Sequence, residues 1–341
     1  MHRLLALFLI LAVTGCGDDR ERLVVYSPHG QELLSAYEAA YEAAHPEVDV
    51  QWLDMGSQEA LDRLRTERAN PQASVWWGAP QTLFMQAAAE GLLEPYTPTW
   101  AGAVGPDARD DSARWFGTFL TPEVLTYNDR ALAAADLPRD WDDLLDPRYR
   151  DRILIRSPLE SGTMRILFGA LILRQPSVEE GYRWLARLDQ NTKGYAANPT
   201  QLYLQLARGE GDLTLWNMPD TYIQRSEYGY PFAYVLPTSG TPVVVDAIAL
   251  VRGAPHAARA REFYEFVTST EALVEQARRF HRLPARTDVP RDSLPEWMRT
   301  LDLRPMPLDW ARLAREGPEW MRVWEERIKG RGAEYLSEAG S

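Results

Sequence analysis

Apolar positions along this chain switch repeatedly between two spacings. Leu23-Val24-Val25-Tyr26 is a short β-prone run that Ser27-Pro28-His29-Gly30 breaks. From Glu32 the period becomes helical. Leu33, Ala36, Tyr37, Ala40, Tyr41 and Ala44 share one face at i, i+3, i+4 spacing until His45-Pro46. Val48 to Leu53 predicts a second strand. Gly56-Ser57 then opens a helix carrying Leu61 and Leu64, with Ser57 as a candidate N-cap. Ala73 to Trp77 predicts a third strand, Gly78-Ala79-Pro80 a turn, and the stretch from Thr82 to Glu90 another helix. Strands alternating with helices predict βαβ units and a parallel sheet.

The alternation restarts further on. Arg152 to Ile155 predicts a strand, and Ser161-Gly162-Thr163 opens a helix through Met164, Leu167 and Leu171. Further helices carry Tyr182, Trp184, Leu185 and Leu188, then Leu202, Leu206 and Ala207. Leu213 to Trp216 predicts a buried strand ending at Asn217-Met218-Pro219-Asp220. Gly117 to Asn128 and Val243 to Leu250 have strand spacing and lie on either side of this second series. They are the expected passages between two lobes. The expected fold is therefore α/β and two-lobed, with two parallel-type sheets, flanking helices and two crossing strands. Residues 23–120 and 240–290 would form lobe one and 121–239 lobe two, with helices of 291–341 packed on the outside.

The N-terminus departs from both patterns. Met1-His2-Arg3 is followed by an apolar run from Leu4 to Val13, then Thr14, Gly15 and the chain's single cysteine, Cys16. That order reads as a secretory signal over residues 1–15. The run falls short of the roughly 20 apolar residues a spanning helix needs. Val13-Thr14-Gly15-Cys16 resembles the lipobox of bacterial lipoproteins, which implies lipid on Cys16 and a charged tether over residues 16–22. With one cysteine the chain forms no internal disulfide. A net charge of −12 disfavours nucleic acid as partner and electrostatic docking on anionic lipid, so membrane attachment would rest on the lipid.

Ligands of open parallel sheets bind outside the carboxyl ends of the strands. In lobe one those ends carry Ser27 and His29, Gly56 and Ser57, then Trp77 and Gly78. In lobe two they carry Ser161, Gly162 and Thr163, then Asn217, Asp220 and Tyr222, while Asp246 lies on the returning strand. Ser161-Gly162-Thr163 is the sharpest signal. A helix start offers free N–H groups and the positive dipole end, glycine permits close approach, and the hydroxyls add donors for an anion. An ordinary N-cap is the competing reading. His29 could ligate a metal, donate to an anion, or cap its own helix. Asp220 and Asp246 could bind a cation, a ligand amine or a hydroxyl, or could make interlobe hydrogen bonds. Of the adjacent Trp76 and Trp77 one is expected in the core, and the other, like Trp216, is a candidate for the cleft wall. No HExxH, GxSxG, Walker-type phosphate loop or CxxC occurs, and no enzyme constellation emerges.

The ordered set Leu23-Val-Val-Tyr-Ser-Pro-His-Gly, Gly56-Ser57, Ala73-Ser-Val-Trp-Trp, Gly91-Leu-Leu-Glu-Pro, Trp141-Asp-Asp-Leu-Leu, Ser161-Gly162-Thr163, Gly209-Glu-Gly-Asp-Leu and Leu283-Pro284 resembles the periplasmic solute-binding proteins of ABC importers, in particular their ferric-ion-binding subgroup. The resemblance spans residues 23 to 290. It implies two lobes that close on a ligand by hinge motion, permease subunits as partners, no catalytic residues and no resident cofactor. The subgroup's tyrosine pair is replaced by Pro219-Asp220, with Tyr222 two residues on, and its glutamate by Gly78-Ala79-Pro80. The expected ligand is therefore a small anionic solute or a metal–anion complex, carried by a lipid-anchored monomer. The alternatives are a ferric or other metal carrier using His29, Asp220 and Asp246, and a sensor subunit for a membrane signalling protein.

Overall fold

The computed structural model describes residues 20–339. The predicted signal and Cys16 lie outside the described residues. Lobe one begins with β1 (Glu21–Ser27), α1 (Gln31–Ala44), β2 (Val48–Asp54), α2 (Ser57–Thr66), β3 (Val75–Pro80), α3 (Gln81–Ala89) and the short β4 (Leu93–Glu94). The first strand starts earlier than its apolar run. Glu21 and Arg22 pair with Val48 and Asp49, and Arg20 is held by Glu42 and Asp49 at 2.9 and 3.1 Å. The tether expected over 16–22 therefore does not extend past residue 19, because these charged side chains find partners on α1 and β2.

The long β5 (Phe116–Asn128) leaves lobe one and enters lobe two. There follow β6 (Ile153–Arg156), α4 (Gly162–Leu173), α5 (Val178–Asn191), β7 (Thr192–Ala196), α6 (Pro199–Ala207), β8 (Leu213–Asn217), α7 (Met218–Ser226) and β9 (Phe232–Val235). The chain returns through β10 (Val243–Val251) to α8 (Ala257–Val267), α9 (Thr270–Phe280) and β11 (Leu283–Pro284). It ends with α10 (Glu296–Arg299), α11 (Trp310–Arg327) and α12 (Gly332–Ala339).

Within each lobe the strands at the centre are parallel, β1 with β2 and β3, and β6 with β7 and β8. The crossing strands are antiparallel to their neighbours, so each sheet is mixed. β10 runs against β3 and β5, while β5 runs against β8 and β9. β5 pairs with β10 as far as Pro122 and with β8 from Glu123, which puts the passage between lobes at that peptide.

The C-terminal helices pack on lobe two through one buried face and leave the other exposed. Trp320, Met321, Trp324, Ile328 and Tyr335 are buried in one cluster with Phe168, Leu171 and Leu185 of lobe two. The Trp324 ring meets Phe168 and Tyr195 edge-on at 5.4 and 5.1 Å. Trp320, Met321 and Trp324 share one face of α11, Trp324 lying at i+4 and i+3 from the other two. α11 packs on α4 and on α3 of lobe one, while α12 packs on α5.

Candidate functional site

Between the lobes lies a cavity of about 270 Å³, lined from lobe one by His29, Gly56, Ser57 and Pro80, and from lobe two by Arg156, Ser161, Gly162, Thr163, Asn217 and Asp220. Thr121 and Asp246 of the crossing strands, together with Arg282, complete it. Its size and its place between lobes suit a small ligand.

Two helix starts face this space. Ser161 is the N-cap of α4, its Oγ accepting from the Met164 N–H at 3.2 Å. The first-turn N–H groups of Gly162 and Thr163 have no partner within the helix. Opposite, α2 starts after Gly56 with no side-chain cap. A Cβ placed on Gly162 would stand 3.8 Å from Ser57 Cβ and 3.6 Å from Pro80 Cγ. The two starts thus almost touch, and the lobes are closed on one another. Glycine at 162 leaves room for backbone from one lobe to approach the other.

Asp246 is aimed by irregular backbone. The pairing of β10 with both neighbours shifts register beside it. On the β3 side the extra length is taken up by Gly78 and Ala79, at φ 98° and 92°. Such bulges re-aim side chains next to functional sites. The Asp246 carboxylate accepts from Thr121 Oγ1 at 2.6 Å, and burial raises its pKa. Asp220, in the first turn of α7, accepts from Tyr203 Oη at 2.9 Å and Asn217 Nδ2 at 3.0 Å, while Asn217 caps that helix by accepting from the Asp220 N–H.

His29 packs edge-on against Trp77 and Phe119, at 5.4 and 5.1 Å. Its Nε2 is buried without a hydrogen-bond partner and lies 2.6 Å from where a Gly78 Cβ would be. Burial, then the nearby Arg282, depress its pKa well below the usual value, so the imidazole is neutral.

Several residues proposed from sequence fall elsewhere. Ser27 is fully buried and accepts from the His29 N–H at 3.2 Å, shaping the loop. Trp77 is core on one face of β3, and Trp76 is core on the other, stacked on Phe84 at 4.0 Å. Both faces of this central strand are covered, so neither ring reaches the cleft. Trp216 does line it. Gly78 lies beneath His29 and not at the rim. Tyr222 stacks on Trp297 at 4.8 Å, away from the cavity lining. His29, Asp220 and Asp246 are not gathered as a metal set. Among the described residues no group of three His, Cys, Asp or Glu could hold a metal ion, because the imidazole Nε2 is turned onto Gly78 and each aspartate is engaged by its own hydroxyl partner.

Four contributors were not foreseen. Arg156 ends β6, donates to the Ala196 carbonyl at 3.2 Å and lies 3.7 Å from Glu160. Arg282 reaches over Phe119, 5.9 Å from its ring centroid. Thr121 and Glu123 belong to β5. Charged residues inside apolar strand runs (Arg156, Glu123) were the available signal.

Residues 36–301 match the model of the bacterial extracellular solute-binding protein family. A probable ABC transporter periplasmic-binding protein of Sinorhizobium fredii is 28% identical over 91% of this chain and 87% of its own length. A putative 2-aminoethylphosphonate-binding periplasmic protein of Salmonella typhimurium is 27% identical over 84% of this chain and 85% of its own. Among solved structures, iron-bound HitA from Pseudomonas aeruginosa superposes with a TM-score of 0.78 at 23% identity, covering 89% of this chain and 98% of that one.

Proposed function

The chain belongs to the bacterial extracellular solute-binding protein family, and from that premise we propose that it is the receptor of an ABC importer for a small phosphorylated or phosphonylated anion. The observation that carries this reading is the meeting of two helix starts from opposite lobes. The helix starts of α4 and α2, with Ser57, Ser161 and Thr163, line one cavity. Such a set of donors and dipole ends suits a multivalent anion. Arg156 and Arg282 add positive charge at its edge.

An anion held from both sides binds the closed form better than the open one, and that difference in affinity drives closure. The Salmonella relative, named for a phosphonate, supports this ligand class. The absence of a metal-holding group among the described residues favours it over a bare ferric ion. Metal would enter only as cargo. Lipid on Cys16 would keep the receptor, as a monomer, beside its permease outside the cytoplasmic membrane.

Calorimetry with 2-aminoethylphosphonate, inorganic phosphate and ferric citrate tests the reading. Binding of at least one of the first two is expected. Binding of the ferric complex alone would refute it.

A further inference from the structure

The anion site leaves three carboxylates at or beside the same cavity unexplained. Phe119, Thr121 and Glu123 lie at i, i+2, i+4 on β5 and so share a face. Phe119 meets His29 and Thr121 lines the cavity, so Glu123 is on the same face of β5 at the passage between lobes, without itself being part of the lining. Its side chain is fully buried and both Oε atoms lack any hydrogen-bond partner. It interacts electrostatically with Asp220 and Asp246, both of which line the cavity.

Each aspartate has only one oxygen engaged. Oδ2 of Asp220 takes the Tyr203 and Asn217 donors, and Oδ2 of Asp246 takes Thr121. Arg282 acts on Asp246 through space, but among the described residues none of the three carboxylates forms a direct ion pair. A buried carboxylate without an adjacent cation is costly. When ionised, the free oxygens of these groups only accept. An ammonium group presents three donors and no acceptor, whereas a hydroxyl presents one donor.

We propose that Asp220, Asp246 and Glu123 form a cation subsite and that the solute is a zwitterion, its phosphoryl or phosphonyl end on α4 and a primary ammonium between the carboxylates. This rests on the anion reading above. It deepens that reading by requiring positive charge on the same small molecule, a few atoms from the anion, as a cavity of about 270 Å³ demands.

The test compares O-phosphoethanolamine, 2-hydroxyethyl phosphate and ethyl phosphate by calorimetry on the wild-type chain and on Asp246→Asn and Asp220→Asn, with thermal denaturation as the check on folding. Either variant suffices if the other fails to fold. The amine should bind at least tenfold more tightly than its hydroxyl analogue. In the variants the gap should fall below about threefold, while ethyl phosphate binds no more weakly than to wild type, since a negative charge has left the cavity. Equal affinity for amine and hydroxyl compounds overturns the cation subsite and leaves the anion site standing. An amine preference that survives both substitutions overturns the residue assignment. Failure of all three compounds to bind overturns both readings together.

Discussion

Ser161 separates a helix cap from a ligand contact, because its hydroxyl is available for both. Oγ accepts from the Met164 N–H at 3.2 Å, which leaves the O–H free to donate into the cleft. Ser161→Ala removes acceptor and donor together. Ser161→Gly removes the same atoms but is tolerated at an N-cap within a few tenths of a kcal/mol, whereas alanine costs about 1 kcal/mol. Unfolding entropy near 2 cal/mol/K per residue makes 1 kcal/mol worth roughly 1–2 °C in a chain of this size. The alanine variant should therefore melt about 1–2 °C below wild type, and the glycine variant less than about 1 °C below. Affinity should respond differently. A hydrogen bond to a charged group is worth about 1.5–3 kcal/mol, so both variants should bind the phosphonate or phosphate ligand roughly 10–150-fold more weakly. Differential scanning fluorimetry and calorimetry on the same preparations read the two effects. If the glycine variant keeps its affinity within about twofold while the alanine variant loses stability, the hydroxyl is a cap and nothing more.

Two further substitutions probe the floor of the cleft. In Gly78→Ala the new Cβ would meet His29 Nε2 at 2.6 Å and Pro28 Cδ at 2.9 Å, at φ 98°. A left-handed residue costs about 1–2 kcal/mol and overpacking about 1–3 kcal/mol, so the melting temperature should drop by several degrees and ligand affinity should fall as the imidazole is pushed into the cavity. An unchanged melting temperature would rule out the packing of His29 on this glycine. Burial, with Asp220 and Asp246 nearby, raises the Glu123 pKa well above its ordinary value. A carboxyl raised on folding stabilises fully below its unfolded pKa and loses that contribution as pH rises through the folded one. The stability of Glu123→Gln relative to wild type should therefore increase with pH from about 4.5 upward, measured by urea denaturation of the ligand-free protein. A difference that stays constant between pH 4 and 8 would contradict an ionisable group buried without a partner.

The lobes were legible because each strand is a short apolar run closed by a polar or small residue, and each helix keeps one face. The rim residues Ser57, Ser161, Asn217 and Asp220 were legible for the same reason, since helix starts have a local signature. What depended on neighbours distant in sequence was not. Trp77 sits at a strand end and still lies in the core, because α1 and α8 cover that face of β3 through Tyr37 and Phe263. Arg282 enters the cleft only because α9 turns back to place β11 against β5 at Leu120 and Phe119. Tyr222 follows Asp220 by two positions, and that rotation along α7 carries it to Trp297 instead of the ligand. Which surface α11 packs on was not legible, because its apolar face, taken alone, does not say what covers it.

The placement of α11 bears on how the receptor opens. Its tryptophans belong to the core of lobe two, so the helix must travel with that lobe. Yet Gln86 of α3, in lobe one, donates to the Ala314 carbonyl at 3.3 Å, and Leu313 packs with Ile166 of α4 and Val244 of β10. Arg165 of α4 likewise reaches Gln58 of α2 at 3.3 Å. These contacts join the lobes beside the cleft, next to a second cavity of about 240 Å³. They are part of a longer contact in which α11 packs along α3 as well as α4, and the two hydrogen bonds are of the kind worth about 1 kcal/mol each. The floor of the cleft, in contrast, is built on the crossing strands themselves, with Thr121 and Asp246 bonded to each other across β5 and β10. A ligand seated there touches the element that bends, and its ends meet the two helix starts that only closure brings together. Recognition and the closing motion therefore depend on the same residues.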